Sequence, residues 1–170
     1  MASPTGLPEV PPNRPAVRIE PGCDPVATER GLRSLPDWFG IEESLMDYVG
    51  AAGRLPGYLA HLGHEVVGVL LVERHFPESA EIHLLAVDPR HHRCGIGRSL
   101  PDAAERGLMA GATRFLQVKT LGASDPSEHY ARTRRFCERS GFMPLEELDG
   151  LWPGNPCPVM VKALPGSAAG

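Results

Sequence analysis

The chain has 170 residues, which is enough for one domain with a sizeable hydrophobic core. Hydrophobic residues make up 42% of it and charged residues 22%, proportions typical of globular proteins. The formal net charge of −4 argues against a general nucleic-acid-binding protein, which carries a strong basic excess. No apolar run reaches the roughly 18 residues that a membrane-spanning helix needs, so we expect no membrane partner.

The cysteines and the N-terminal sequence bear on metal binding and location. No C-x-x-C pair is present, so the pattern predicts neither a zinc site nor a dithiol redox site, and we expect no metal. The first residues contain no apolar segment typical of a secretory signal. Reduced thiols in a cytoplasmic protein fit these features best. The four cysteines are Cys23, Cys94, Cys137 and Cys157.

Composition divides the chain into one domain and two flanking segments. Residues 1–15 are rich in proline and poor in apolar side chains, which predicts a disordered arm. Residues 164–170 are predicted to form a flexible tail. Residues 16–163, in between, contain no internal repeat and are predicted to form a single domain.

The first half of this domain predicts a strand, two helices and a hairpin. Alternation predicts a strand over residues 16–20, and Asp24 followed by Pro25 is typical of a helix start. That helix should end near Leu35. Apolar residues at helical spacing predict a second helix over 41–52. Two further alternating or apolar runs predict an antiparallel hairpin, over 57–62 and 65–76.

The second half predicts a parallel pair of strands joined by a helix. A strand over 81–88, a helix over 96–110 and a strand over 114–120 form a βαβ unit. Pro101 falls inside this helix, so either the helix begins later or its first turn is distorted. A helix over 127–141 and two short strands around a loop containing Trp152 follow. The fold class is therefore α/β, a mixed sheet with helices on both faces.

The loop between the first parallel strand and its helix contains two glycines. It reads His92-Arg93-Cys94-Gly95-Ile96-Gly97. The N–H groups at the start of a helix lack partners within the helix, so a phosphate can bind there if no side chain blocks it. The two glycines alone are equally consistent with a simple turn. A dinucleotide loop is not indicated, because Leu100 stands where its third glycine belongs.

Two segments resemble motifs of the GCN5-related N-acetyltransferase (GNAT) superfamily. Motif A of the family is a strand, then [QR]-x-x-G-x-[GA], then a helix, and it resembles the segment AEIHLLAVDPRHHRCGIGRSL. His92 stands at the position that is usually Gln or Arg. RRFCERSGF resembles the second motif, which ends in Gly-Phe. The resemblance covers residues 16–163 and implies a single-domain, mostly antiparallel mixed sheet with a central parallel pair.

The resemblance also implies where acetyl-CoA, the acetyl-donor substrate, would bind. Its pantetheine arm would pair with the strand over 81–88, in a V-shaped gap before the strand over 114–120. Its pyrophosphate would bind backbone N–H groups of residues 92–98. The implied contact residues are Leu85, Ala86, Val87, His92, Arg93, Cys94, Gly95, Ile96, Gly97, Arg98, Tyr130 and Cys137.

Glu81 is the candidate general base, because in several family members a glutamate near this position acts through water. Alternation predicts that Glu81, His83, Leu85 and Val87 share one face of the strand. In a cleft on that face, loss of solvent would raise the pKa of the Glu81 carboxyl. The alternative is a solvated glutamate at a strand edge. For His83 the alternatives are a proton relay or acceptor contact and a histidine that lines the sheet.

The group that protonates the leaving thiolate has two candidates, because Cys137 stands where the family's tyrosine is expected. Tyr130 lies two helical turns earlier on the same face. It is therefore a second candidate catalytic residue, which would contact CoA or supply the missing hydroxyl. The alternative is an aromatic residue that only packs on the helix.

The acceptor pocket is implied only by the family pattern. The family pattern implies that the N-terminal helices and the loop around Trp152 shape its pocket, with Trp38 and Tyr48 among the candidate walls. The predicted activity is acetyl transfer from acetyl-CoA to an amine of an unidentified acceptor, directly, in a monomer or homodimer. The alternative is a non-catalytic domain of the same fold that binds or senses acyl-CoA.

Overall fold

Seven strands form one mixed sheet in the order β1-β2-β3-β4-β5-β7-β6 in the computed structural model, which describes residues 16–152 and 154–165. The strands are β1 (Val17–Pro21), β2 (Gly57–Leu62), β3 (Glu65–Phe76), β4 (Ser79–Val87), β5 (Phe115–Lys119), β6 (Met143–Trp152) and β7 (Asn155–Ala163). β4 and β5 are parallel, as the βαβ pattern predicts, and the other neighbouring strands are antiparallel. The predicted arm over 1–15 and residues 166–170 of the predicted tail lie outside the described residues.

Helices cover both faces of the sheet. They are α1 (Pro25–Arg33), α2 (Pro36–Phe39), α3 (Glu42–Ala52), α4 (Ile96–Met109) and α5 (Glu128–Arg139). α1 and α3 pack on one face around Leu32, Leu45 and Leu71, and α4 packs on the other around Leu70 and Leu100. The predicted start of α1 is confirmed, because Asp24 Oδ1 accepts a hydrogen bond from the Ala27 N–H at 3.0 Å. Across the described part of the chain, no helix has the length and apolarity to cross a membrane.

Three local features differ from the sequence prediction. The short helix α2 was not predicted, because Pro36 starts a new helical turn as well as ending α1. The expected loop around Trp152 is largely the end of a hairpin, since β6 extends to Trp152 and β7 begins at Asn155. α4 begins at Ile96 despite Pro101, so the later start considered for it is wrong.

Gly68 sets how closely α4 approaches the sheet. A Cβ atom at this position of β3 would lie 3.0 Å from Leu100 Cδ1 and 3.1 Å from Ile96 Cγ2. These distances are shorter than ordinary van der Waals contacts, so the missing side chain permits the close packing. Because Ile96 is the first residue of α4, this contact also holds the glycine loop beside the end of β4.

Candidate active site

The parallel strands β4 and β5 separate partway along the sheet. They pair from Ser79 and Phe115 to Ile82 and Val118, and β4 then continues to Val87 beside β3 alone. β5 meanwhile stays paired with β7 as far as Lys119. The backbone of β4 beyond Ile82 therefore borders a gap on its β5 side. This gap is the V-shaped opening that the family resemblance implies.

The glycine loop at the wide end of the gap is exposed and tightly turned. Gly95 has φ +82° and Arg93 has φ +61°, so both lie in the left-handed region. A Cβ atom on Gly95 would meet no heavy atom within 4 Å, and one on Gly97 would meet Phe136 Cε2 at 3.9 Å. The space over both glycines is therefore open, as a bound phosphate would require. Arg98 is exposed beside it.

His92 fastens this loop to the strand that precedes it. Its Nε2 atom lies 2.8 Å from the Val87 carbonyl oxygen. His92 occupies the motif position usually held by Gln or Arg. The side chain contact ties the loop to the last residue of β4, so loop and gap keep a fixed relation.

A bulge in β4 changes which side chains share a face. Leu71 of β3 pairs with Leu84, but the next residue, Val72, pairs with Ile82, so His83 is an extra residue on β4. Leu85 consequently packs with the α4 cluster, as Ile82 does. The prediction that Glu81 and His83 share a face with Leu85 and Val87 is therefore wrong.

Glu81 and His83 instead face the α1–α3 side of the sheet. There they help to line a cleft of about 210 Å³. Tyr48 of α3 forms one wall, and the His83 ring lies 5.5 Å from the Tyr48 ring in an edge-on arrangement. The remaining lining residues are Glu73, Ile82, Lys119, Leu151 and Trp152.

Glu81 is buried and surrounded by donors. Lys119 Nζ donates a hydrogen bond to its Oε2 atom at 2.7 Å, and Gln117 Nε2 donates one at 2.8 Å. His75 Nε2 lies 2.8 Å from the same oxygen. Burial by itself raises the pKa of the Glu81 carboxyl, but the hydrogen bonds from these donors outweigh burial and hold the pKa below its usual value. The predicted increase in pKa is therefore wrong.

His83 has a carboxylate partner of its own. Glu73 Oε2 of β3 lies 3.1 Å from His83 Nδ1. The side chains of His83 and Glu73 are 24% and 33% exposed, so both reach the solvent in the cleft. The site therefore contains two histidine–carboxylate contacts. The Glu73 carboxylate beside His83 is open to solvent, whereas the Glu81 carboxylate beside His75 is almost fully buried.

Tyr130 and Cys137 lie on α5, but neither points a free polar group at the gap. The Tyr130 hydroxyl donates a hydrogen bond to the Trp38 carbonyl oxygen at 3.1 Å, and burial raises the pKa of this hydroxyl. Cys137 is buried in the α4-side core, where burial raises the pKa of its thiol to about 11. Trp38 of α2 also donates from Nε1 to Thr133 Oγ1 at 3.2 Å. α2 is therefore joined to α5 by two hydrogen bonds.

The donors around Glu81 were not among the residues predicted for the site. Gln117 and Lys119 are two residues apart on β5, so alternation places them on one face. The parallel pairing of β4 with β5 then sets Gln117 directly opposite Glu81. That register depends on the fold, because the two residues are 36 positions apart in the chain.

Comparison with known proteins agrees with this geometry. Residues 55–144, more than half of the chain, match the family model of the acetyltransferase (GNAT) domain. No curated protein matches the chain in sequence.

Several solved structures share the fold at low sequence identity. One is described as a GNAT-family acetyltransferase from Desulfovibrio desulfuricans, with a TM-score of 0.78 at 19% identity over 88% of this chain and 100% of that one. A second is the ribosomal-protein-S18-alanine N-acetyltransferase of Escherichia coli, with a TM-score of 0.71 at 16% identity over 89% of this chain and 97% of that one.

A third is a GNAT-family acetyltransferase of Elizabethkingia anophelis with acetyl-CoA bound, with a TM-score of 0.66 at 16% identity. It covers 87% of this chain and 98% of that one. The family model, the order of the elements and the opened parallel pair agree with one another, and the chain belongs to the GNAT acetyltransferase family.

Proposed function

We propose that the protein is an N-acetyltransferase that transfers the acetyl group of acetyl-CoA directly to a small amine. One observation carries the proposal. The cleft on the α1–α3 side is lined by Ile82 of β4, which belongs to the last pair between the parallel strands, and by Lys119 of β5, the residue that follows its partner Val118. Two compartments therefore meet at one point, a long gap suited to pantetheine and a small cleft suited to an acceptor.

The residues along the gap fit acetyl-CoA as the donor substrate. The open space over Gly95 and Gly97 leaves the first N–H groups of α4 accessible to a pyrophosphate. Arg98 at the start of α4 adds a positive charge, although Asp102 Oδ2 lies 3.8 Å from its Nε atom. The edge of β4 beyond Ile82 offers backbone groups to a pantetheine amide, in the manner of an added strand.

The cleft favours a compact, positively charged acceptor. Its volume of about 210 Å³ is small for a ligand pocket. Glu73 contributes a carboxylate at its surface, whereas the charge of Glu81 is matched by Lys119 at 2.7 Å. An ammonium group is therefore attracted to the Glu73 side, and Tyr48 and Trp152 offer aromatic walls to its apolar part.

Direct transfer is favoured over an acyl-cysteine intermediate. Cys137 is buried, and burial raises the pKa of its thiol to about 11, so it is protonated and inert at neutral pH. Cys94 lies in the glycine loop, where the phosphates rather than the thioester are expected. The amine nitrogen would therefore attack the thioester carbonyl carbon itself, with both substrates bound.

The test is a panel of amines with acetyl-CoA, followed by release of the free CoA thiol. The panel contains tyramine, spermidine, kanamycin and a peptide with a free N-terminal alanine. We expect turnover with at least one compact amine and acetylation of its nitrogen by mass spectrometry. Binding of acetyl-CoA without turnover on any amine would contradict the proposal and favour the alternative of an acyl-CoA-sensing domain.

A further inference from the structure

We propose that His83, oriented by Glu73, accepts the proton of the acceptor amine during acetyl transfer. This assignment rests on the proposed N-acetyltransferase function and names the group that performs its proton transfer. It differs from the sequence hypothesis, in which Glu81 is the base. Glu81 becomes instead a positioning residue that holds Lys119 in the wall of the cleft and accepts a hydrogen bond from Gln117.

His83, the extra residue of the β4 bulge, lies at the fork of the parallel strands. The last β4–β5 pair is Ile82 with Val118, and His83 is the next residue of β4. Alternation from Glu81 turns its side chain to the α1–α3 side, where it lines the cleft, and the bulge places Leu85 on the opposite face. Bulges commonly aim a side chain into a functional site.

Glu73 determines which nitrogen of the His83 imidazole carries a proton and which keeps a lone pair. Its Oε2 atom lies 3.1 Å from His83 Nδ1, and a carboxylate at this distance favours a proton on that nitrogen. Nε2 is then the nitrogen with a lone pair. The edge-on contact with the Tyr48 ring, at 5.5 Å between ring centres, restricts rotation of the imidazole.

The two carboxylates of the cleft are suited to different tasks. Glu81 is enclosed, and its Oε2 atom already contacts Lys119, Gln117 and His75. Protonating this buried carboxylate would break its contacts with the partly buried cation Lys119 and with two polar groups, which is costly. The His83 ring contacts a single carboxylate, Glu73, through Nδ1 at 3.1 Å, and its side chain is 24% exposed in the cleft, so it can reach a bound acceptor.

The reaction then balances as a transfer of one acetyl group and one proton. The lone pair of the neutral amine forms a bond to the thioester carbonyl carbon, and His83 Nε2 takes a proton from that nitrogen. The C–S bond breaks, which leaves an amide and the CoA thiolate. The thiolate takes a proton from water, and the His83 imidazolium returns its proton to solvent.

The experiment compares steady-state turnover of His83→Gln, His83→Ala and Glu73→Gln with the wild type, using the panel amine of highest turnover. We expect His83→Gln to lower kcat by roughly 10²–10⁴-fold while the Kd of acetyl-CoA changes less than threefold. Glu73→Gln should lower kcat by about tenfold, because the imidazole remains but loses its charged partner. His64→Gln, an exposed histidine in the β2–β3 turn, is the matched control and should leave kcat unchanged.

Chemical rescue separates proton transfer from a structural role. Added imidazole should raise the kcat of the His83→Ala protein at least tenfold, because it can occupy the space of the missing ring and accept the proton. A His83→Gln protein that keeps wild-type kcat, or a His83→Ala protein that binds acetyl-CoA but shows no rescue, would overturn the assignment and leave the acetyltransferase proposal standing. A wild-type protein without turnover on any amine would overturn both.

Discussion

Cys137 illustrates how burial decides the role of a single residue. It stands at the motif position where a tyrosine acid is expected, yet it is only 5% exposed and belongs to the α4-side core. Because burial raises the pKa of its thiol to about 11, we expect it to act as a small apolar side chain. Cys137→Ala should therefore keep kcat within about threefold and cost roughly 1 kcal/mol of unfolding free energy.

Urea denaturation and steady-state kinetics on the same preparation check this expectation. Tyr130→Phe serves as the comparison, because it removes the hydroxyl that binds the Trp38 carbonyl oxygen. A Cys137→Ala protein that binds acetyl-CoA normally but loses most of its turnover would show that the thiol takes part in the reaction.

Glu81 links the stability of the fold to pH. The pKa of Glu81 is lower in the folded state than in the unfolded chain. The ionised carboxylate therefore adds to the unfolding free energy above about pH 4.3, and this stabilisation disappears as pH falls through the folded-state pKa. Glu81→Gln should lower the unfolding free energy at pH 7 by about 2 kcal/mol, because Lys119 loses its buried partner. The difference from wild type should shrink below pH 4.

Urea melts at pH 7, 5 and 3.5 measure this difference directly. The same substitution should reduce kcat less than His83→Gln does, since Glu81 is assigned to positioning. A stability difference that stays constant over the three pH values would contradict the assigned ion pair.

At the scale of elements, the glycine loop and the first turn of α4 act as one unit. A side chain at Gly97 meets no close protein atom, with Phe136 Cε2 at 3.9 Å from an added Cβ, so Gly97→Glu should fold normally. Its carboxylate would nevertheless project into the open space assigned to the pyrophosphate. We expect the Kd of acetyl-CoA to rise at least tenfold, or about 1.4 kcal/mol, in isothermal titration calorimetry.

Gly50→Glu is the matched control for this change. Gly50 is likewise a helical glycine, it is exposed, and an added Cβ would meet no heavy atom within 4 Å. It lies on α3, away from the glycine loop, so its substitution should leave the Kd unchanged. Equal affinities for the Gly97→Glu protein and the wild type would rule out the proposed pyrophosphate site.

At the scale of the whole molecule, the opened sheet predicts a measurable response to the donor. A ligand that binds only the folded state at 100 times its Kd adds about 2.7 kcal/mol to stability. For a domain of this size that corresponds to a rise in Tm of about 5–10 °C. Hydrogen exchange should slow most over residues 83–87, where β4 lacks β5 as a neighbour.

Thermal melts and exchange with and without acetyl-CoA test this response, and desulfo-CoA serves to separate binding from turnover. A normal thermal shift without protection of residues 83–87 would contradict pairing of the donor with β4. It would still be compatible with phosphates bound at the glycine loop.

What the sequence alone determined is the part of the structure that depends on local pattern. Alternation, helical spacing and turn residues predicted the seven strands, the parallel pair and the glycine loop between them, because each signal lies within a short segment. The positions of the loop residues Gly95 and Gly97 at the start of α4 followed from the same local order. The two motifs then indicated the family before any coordinates.

Only the tertiary structure decided the chemistry of the cleft. The bulge at His83 depends on how β3 and β4 pair, and one extra residue reverses every side chain after it. The low pKa of Glu81 depends on Lys119, which is 38 positions away in the chain. The contact of Trp38 with α5 joins segments about 95 residues apart. No local sequence pattern predicts such long-range contacts, because they arise from the packing of elements that are remote in the chain.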